Sequence, residues 1–458
     1  MAPLALILGA IILGVMNLNT IREYFIGASG EPANLVVDVS AVLGPMPRPW
    51  RNLAQGGEDK NWRMNSIAEK VKVLNPEYIR LDHIYDFYEP VRREGDQLVF
   101  DFSRLDLIID DILAVGAKPY ISISYTPGPI APDGNITGMP TNLSEYQVIV
   151  QRTIEHLSKT RAIEGVIYEV WNEPDLFGEF RVYGRKNYLE LYGAAARGAQ
   201  AAVVNGARPF QFGGPATTAL YKNWIDGLAT FAIENNYRLD FISWHRYDRS
   251  AEVYRQDVAN VRAWLASYPQ LFGVQLHITE WGHDSTIDPG YDTIFGAAHT
   301  GAIALDMVGQ VDRAFVFEIQ DGKDPSGQEY WGRWGILTHQ DFGSRLKPRY
   351  KMLQFLDRLA DQRLQLLGKG SWVKAVAAKN GEQVQVAIVN YDPAGTNLEQ
   401  VPVTFTNIDT LSYDLTIQYF EGQTMQKTIA TTSGQLSVGT TIPMQANSAV
   451  FVTAVPTP

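Results

Sequence analysis

Residues 165–175 read GVIYEVWNEPD. The first eight, rich in β-branched and aromatic side chains, have the composition of a buried strand. The strand runs into a carboxylate, Glu173, set directly against Pro174. A residue before proline is pushed away from the helical region, so Glu173 is predicted to stay extended at the strand end and not to enter the next helix. Such a carboxylate has two readings, a catalytic group at a strand end or an ordinary helix start. The fold decides between them.

Outward from this stretch the chain alternates between short β-rich runs and amphipathic helical patterns. The strand candidates are NLVVDVS (34–40), EYIRLD (77–82), KPYISIS (118–124), GVIYEVWN (165–172), FQFGG (210–214), FISWHRY (241–247), VQLHITE (274–280) and RAFVFEIQ (313–320). They are mostly continuous apolar runs, as expected of parallel strands buried on both faces. Between them, SRLDLIIDDILAVG (103–116) repeats Leu105, Ile108, Ile109, Ile112 and Leu113 on one helical face, with Ser103 placed to cap its start and Gly116 its end. Further helices are expected near 64–75, 144–159, 187–204, 221–236, 252–267, 292–309 and 348–361. Eight such units predict an α/β fold, a (β/α)8 TIM barrel over residues 31–364. A doubly wound sheet would show a glycine-rich phosphate turn after its first strand, and AVLGPMPRPWRNLAQGGED is not one. From residue 365 to 458 the pattern becomes all β, beginning with a hairpin around Asn380-Gly381, and predicts a small C-terminal β-sandwich.

Residues 1–30 contain the apolar run APLALILGAIILGVM, with no charged side chain before Arg22. This segment is expected to be a membrane anchor or signal segment, which makes the rest of the chain extracytoplasmic, either membrane-anchored or secreted. The chain has no cysteine, so disulfides, thiolate catalysis and thiolate metal sites are excluded. A formal charge of -11 argues against a nucleic-acid partner. The 10 Trp and 22 Tyr suit surfaces that stack on sugar faces, although core packing accounts for most of them.

In a barrel, function gathers at the C-terminal strand ends. There the fourth strand offers Asn172 and Glu173, the sixth His245 and Tyr247, and the seventh Glu280 and Trp281; the second strand carries Arg80, Asp82 and His83. Two carboxylates on one rim are what glycoside hydrolysis requires: one protonates the leaving oxygen, the other attacks the anomeric carbon or activates water. Their acidities must be split, the acid beside apolar surface and its partner beside hydrogen-bond donors. Trp171 is placed to supply the first, Arg80 and Tyr247 the second.

The pair VWNEPD (170–175) and TEWG (279–282) resembles the clan A glycoside hydrolases, and most closely glycoside hydrolase family 39, which includes β-xylosidases and α-L-iduronidases. VLGPMPRPWRNLAQGGED, FISWHRYD and WGRWGILTHQDFGSRLKPRYKMLQFLDRL are similar to further stretches of that family. The resemblance implies a retaining mechanism through a covalent glycosyl-enzyme. It assigns Glu173 as acid/base and Glu280 as nucleophile, Asn172 to a sugar hydroxyl, Tyr247 and Arg80 to holding the nucleophile ionised, and His245 to the lining. The family usually carries Arg-x-His on strand two, whereas here His83 is displaced by one; Gly282 and His283 also replace the Asn and Ser common after the nucleophile. The implied partner is a carbohydrate, β-xyloside-like or another short glycan, with no cofactor. Trp281, His83 and Trp331 are expected to join the substrate-binding set, with Trp334 beside Trp331. Glu318, Asp321, Glu58 and Asp59 either line the pocket or make structural pairs. No metal is expected, since His245, Asp248 and His283 match no ligand spacing. A competing reading is a catalytically idle barrel, serving as a sugar-binding module or as a membrane-anchored assembly subunit.

Overall fold

The computed structural model describes residues 30–457, apart from 58, 61, 409–411 and 432–435. The apolar run near the N-terminus and Glu58 lie outside the described residues. Among the described residues, no helix is long and apolar enough to cross a membrane. The chain forms two compact units, one comprising the described residues up to Met46 together with those from Leu359 onward, the other Pro47–Arg358.

The second unit is the barrel. The first described strand of the chain, β1 (Leu35–Pro45), is not part of it. The barrel opens at β2 (Asn52–Gln55), continues with β3 (Tyr78–Leu81), and after a hairpin of β4 (Val91–Glu94) and β5 (Gln97–Phe100) takes in β6 (Lys118–Ile123), β7 (Ile167–Val170), β8 (Gln211–Thr217), β9 (Phe241–Tyr247), β10 (Gln275–Gly282) and β11 (Arg313–Phe317). These strands, without the hairpin, close into a barrel in which each neighbouring pair is parallel. Among the described residues each is followed by one α-helix: α1 (Ala68–Lys72), α2 (Ser103–Ala114), α3 (Leu143–Glu155), α4 (Tyr188–Val204), α5 (Lys222–Glu234), α6 (Ala251–Leu265), α7 (Ile294–Met307) and α8 (Pro348–Leu356). Burial on both faces is what fixes these strands; all four residues of β7 are fully buried, Glu169 among them. Ala54, Tyr78, Tyr120, Ile167, Phe241 and Phe315 fill the barrel interior.

Four sequence expectations change here. The run 34–40, expected as the first barrel strand, is β1 of the other unit. Leu35 and Val37 are buried while Val36 and Asp38 are partly exposed, the period-2 alternation of a one-sided strand. The true first strand, Asn-Leu-Ala-Gln, has amides at both ends and no apolar run to announce it. The units therefore divide at Met46/Pro47 and Arg358/Leu359, not at a single point near 364. In α2 the N-cap is Phe102, without a side-chain cap, and Ser103 is the first helical residue, its N–H donating to Asp101 Oδ1 at 3.0 Å; Leu113 is exposed. Asn142, Asn187, Ser250 and Thr293 cap α3, α4, α6 and α7 through their side chains.

The other unit is a mostly antiparallel nine-stranded sheet. After β1 it comprises β12 (Gln362–Leu367), β13 (Val373–Asn380), β14 (Gln383–Asn390), β15 (Glu399–Thr406), β16 (Ser412–Tyr419), β17 (Thr424–Ala430), β18 (Ser437–Met444) and β19 (Ser448–Pro456), in the order β17-β16-β19-β14-β13-β12-β1-β15-β18. β1 runs antiparallel to β12 and parallel to β15. The edge strands β17 and β18 meet, with Lys427 Nζ donating to Thr440 Oγ1 at 3.1 Å, so the sheet curls around a core that includes Val37, Val386, Val403, Phe405 and Val452. The expected hairpin at Asn380-Gly381 joins β13 to β14.

Gly198 lets α4 approach α3: a Cβ there would lie 2.5 Å from the Gln147 carbonyl oxygen and 3.1 Å from the Gln151 nitrogen. Backbone cannot yield as a flexible side chain would. Gly198→Val should therefore destabilise the barrel by about 1–3 kcal/mol, read as a fall in the midpoint of thermal unfolding followed by circular dichroism.

Candidate active site

The site is organised from the barrel interior outward. Arg80, on β3, is fully buried. Its guanidinium donates from Nε to Glu169 Oε2 at 2.8 Å, from Nη1 to Glu280 Oε1 at 2.9 Å and from Nη2 to Asn172 Oδ1 at 2.7 Å. Burial alone would favour loss of its charge, but Glu169 and Glu280 outweigh burial and keep it firmly cationic. Asn172 passes the chain on, donating from Nδ2 to the Tyr125 hydroxyl at 3.0 Å. Glu280, on β10, also accepts from the Tyr247 hydroxyl at 2.8 Å. Tyr247 ends β9, next in the barrel to β10 and paired in register with Gly282.

Glu173 lies just beyond β7, and its backbone is not extended as predicted from Pro174. Its φ is +44°, in the left-handed region, and Trp171 stands at +74°. Proline excludes the right-handed helical region for its predecessor, and here the chain takes the left-handed alternative. Such backbone costs on the order of 1 kcal/mol or more per residue. The surroundings hold it: the Glu173 N–H donates to the Ala216 carbonyl at 2.9 Å, and the Glu173 carbonyl accepts from Leu176 and Phe177 at 3.0 and 2.7 Å. Trp171 braces this loop from behind. Its ring is fully buried against Tyr125 and Phe180, and its Nε1 donates to the Phe177 carbonyl at 3.2 Å.

His245 joins the two carboxylates. Its Nδ1 is 2.9 Å from Glu173 Oε1 and 3.4 Å from Glu280 Oε2. Burial pushes the ring toward neutrality, but Glu280 and Glu173 prevail and raise its pKa. One oxygen of each carboxylate and a His245 nitrogen lie within 4.8 Å of one another. These donor atoms could ligate a cation, but their bonds to one another, to Arg80 and to Tyr247 already account for the arrangement. Glu280, expected to be the more acidic partner, is instead raised to about 6. Burial is the main cause, opposed by His245 and Arg80 and reinforced by Glu173.

A cavity of about 800 Å³ opens over this pair. Asp82, His83, Tyr125, Asn172 and Glu280 line its inner end. His83 is held by Asp86, 2.8 Å from its Nδ1, and by stacking on Phe87. Gly57 makes room for it, since a Cβ there would lie 2.4 Å from His83 Nε2. Trp334 and Phe317 line the wall beyond Tyr247.

Of the expected contact residues, Arg80 and His245 are fully buried beneath the carboxylates and do not line the cavity, and Trp281 and Trp331 are elsewhere. Trp281 is fully buried behind β10, against Tyr254 and His299. The two-residue period of a strand decides this: with Glu280 turned to the cavity, its neighbour points to the helices. Trp331 is 61% exposed, its ring under Arg345, and does not line the cavity. Glu318 is a structural anchor, its Oε2 accepting from Gln55 Nε2 and the Gly56 N–H. Asp321 pairs with Lys347 at 2.5 Å, and Asp59 lies 3.0 Å from His339. Sequence reasoning missed Glu169 and Tyr125. An ionisable residue inside a strand otherwise apolar was the available signal for Glu169.

Residues 37–389 match the profile of glycosyl hydrolases family 39. The chain is 27% identical over 350 residues to a β-xylosidase of Caldicellulosiruptor saccharolyticus, covering 69% of this chain and 68% of the relative. It is 27% identical over 313 residues to a β-xylosidase of Geobacillus stearothermophilus, covering 60% of each. In fold it is similar to a monomeric β-xylosidase from Caulobacter crescentus CB15, with a TM-score of 0.75 at 21% identity over 93% of this chain and 100% of the other. It is equally similar to the GH39 enzyme from Xanthomonas axonopodis pv. citri, with a TM-score of 0.75 at 18% identity over 93% and 98%. The chain therefore belongs to glycosyl hydrolases family 39 and is a TIM-barrel glycosidase.

Proposed function

We propose that the protein is a retaining glycosidase acting by double displacement on β-xylosides and related short glycosides, with Glu173 as acid/base and Glu280 as nucleophile. The observation that carries this reading is the approach of two carboxylates to within 4.8 Å at the inner end of a sugar-sized cavity. Retaining enzymes keep their carboxyls about 5–5.5 Å apart, whereas inverting ones need about 6.5–9.5 Å to admit a water. In the first step a Glu280 oxygen bonds to the anomeric carbon while the glycosidic oxygen leaves with the proton of Glu173. In the second, Glu173 takes a proton from water, which displaces Glu280 and restores the starting configuration. Arg80 and Tyr247 hold the attacking carboxylate on both its oxygens. His245 orients Glu173, and Asn172, fixed by Arg80 and Tyr125, is offered to a sugar hydroxyl. The xylose-like glycone is supported by the names of the two curated relatives. The apolar run of residues 1–30 supports an extracytoplasmic location, anchored or secreted.

Glu280→Gln should lower kcat on all glycosides by on the order of 10³ or more. Glu173→Gln should do the same for alkyl glycosides but be partly spared with dinitrophenyl glycosides, whose leaving group departs without a proton. If neither variant slows turnover of nitrophenyl glycosides, the assignment is wrong.

Glu280 must be ionised to attack and is raised to about 6. The acid limb of the kcat/KM profile should therefore lie near pH 6, falling about tenfold per pH unit below it. Tyr247→Phe removes a donor to the anion, so this limb should move to higher pH.

In a panel of nitrophenyl β-xyloside, β-glucoside, β-galactoside and α-arabinoside, kcat/KM should be highest on the xyloside. A clear preference for another sugar overturns the glycone assignment and leaves the chemistry standing.

A further inference from the structure

The cavity changes character along its length. Its inner end is polar and buried: Asp82, Asn172 and Glu280 are 6%, 3% and 5% exposed. The wall formed by the loops after β7 and β8 is different. It consists of Leu176, Phe177, Thr218, Ala219 and Tyr221, with no charged side chain among them. Leu176, Phe177 and Tyr221 are 56%, 40% and 39% exposed. An exposed apolar cluster of this kind beside a reactive centre marks a binding surface. The few polar groups here are already engaged. Thr218 donates from its N–H to Asp175 Oδ1 at 3.0 Å and from its hydroxyl to Asp175 Oδ2, and that hydroxyl is also 3.2 Å from the Tyr221 hydroxyl.

This wall is on the proton donor's side. Glu173 belongs to the same loop as Leu176 and Phe177, and its N–H bonds to Ala216 at the root of the second loop. A proton donor must face the departing oxygen, so the leaving group rests against its loops while the ring under attack occupies the polar inner end. Phe177 and Tyr221 alone can stack on a sugar face, but a second sugar also needs hydrogen-bond partners for its several hydroxyls, and the polar groups of this wall are already bonded among Thr218, Tyr221 and Asp175. Resting on the assignment of Glu173 as acid, we infer that the leaving-group subsite is built for an apolar aglycone, alkyl or aromatic, and not for a further sugar residue.

The test uses the full-length enzyme and glycosides carrying the glycone that the nitrophenyl panel selects. Methyl and hexyl glycosides, with leaving alcohols of similar acidity, are compared with the corresponding β-linked disaccharide. The hexyl glycoside should exceed both in kcat/KM by at least tenfold. In Leu176→Ser and Phe177→Ser, taken separately, the hexyl-to-methyl ratio should fall several-fold; Leu176 is exposed enough that its replacement spares the fold. A disaccharide preferred over the hexyl glycoside, or a hexyl-to-methyl ratio near one in the unaltered enzyme, overturns the inference. Absence of turnover on every nitrophenyl glycoside would instead sink the glycosidase mechanism beneath it.

Discussion

The buried guanidinium of Arg80 is the interaction on which the site depends. One side chain from β3 binds Glu169 on β7, Asn172 just past β7 and Glu280 on β10, and so spans the barrel interior. Taking such charges out of water is costly, and the arrangement holds because each donor nitrogen used meets an acceptor at 2.7–2.9 Å. Loss of one partner from a buried cluster of this type leaves an unmatched charge, at a cost of about 3–5 kcal/mol. The position of Glu280 is thus set by side chains of the barrel strands themselves.

The rest of the centre follows from charge balance. Glu169, Glu280 and Asp82 gather around Arg80, and His245 supplies a second place for a proton between Glu280 and Glu173. Burial makes ionisation of Glu280 harder, yet the donors Arg80 and Tyr247 aim at its two oxygens, so the anion, once formed, is directed and stripped of water. That is a reactive state for a carboxylate and a poor one for a purely structural group. The left-handed backbone at Trp171 and Glu173 belongs to the same design, since it turns the Glu173 side chain toward His245 where a regular strand-to-helix transition would carry it elsewhere.

Much of this was legible in the sequence because both-face burial leaves apolar runs and strand ends can then be counted. β3 and the strands from β6 to β11 were readable in this way. β2 was not, because its four residues close the barrel largely through backbone pairing to β3 and β11 and need no apolar signature. β1 has the apolar text of a barrel strand, and only its alternation distinguishes it. At the site, residue type and strand-end position pointed to Glu173, Glu280, Arg80, Tyr247 and His245. Side-chain direction is a finer property. It took the pleat of β10 to turn Trp281 away, and three-dimensional closure to bring Tyr125 against Asn172. The acidity of Glu280 was misjudged for a similar reason: donors can be named from sequence, whereas depth of burial cannot.

The pairing of β1 with β12 and β15 orders events during synthesis. β1 leaves the ribosome before any part of the barrel, yet its neighbours are encoded only after the barrel is finished. Through that interval a half-apolar ribbon stands ahead of the barrel with both of its edges open, the kind of surface that invites pairing with another chain. β1 is sheltered only once β12 and β15, both encoded after the barrel, have been translated. A ribosome that stops after β12 (Gln362–Leu367) but before β15 (Glu399–Thr406) therefore releases a chain whose barrel sequence is complete but whose first described strand still lacks one of its two neighbours.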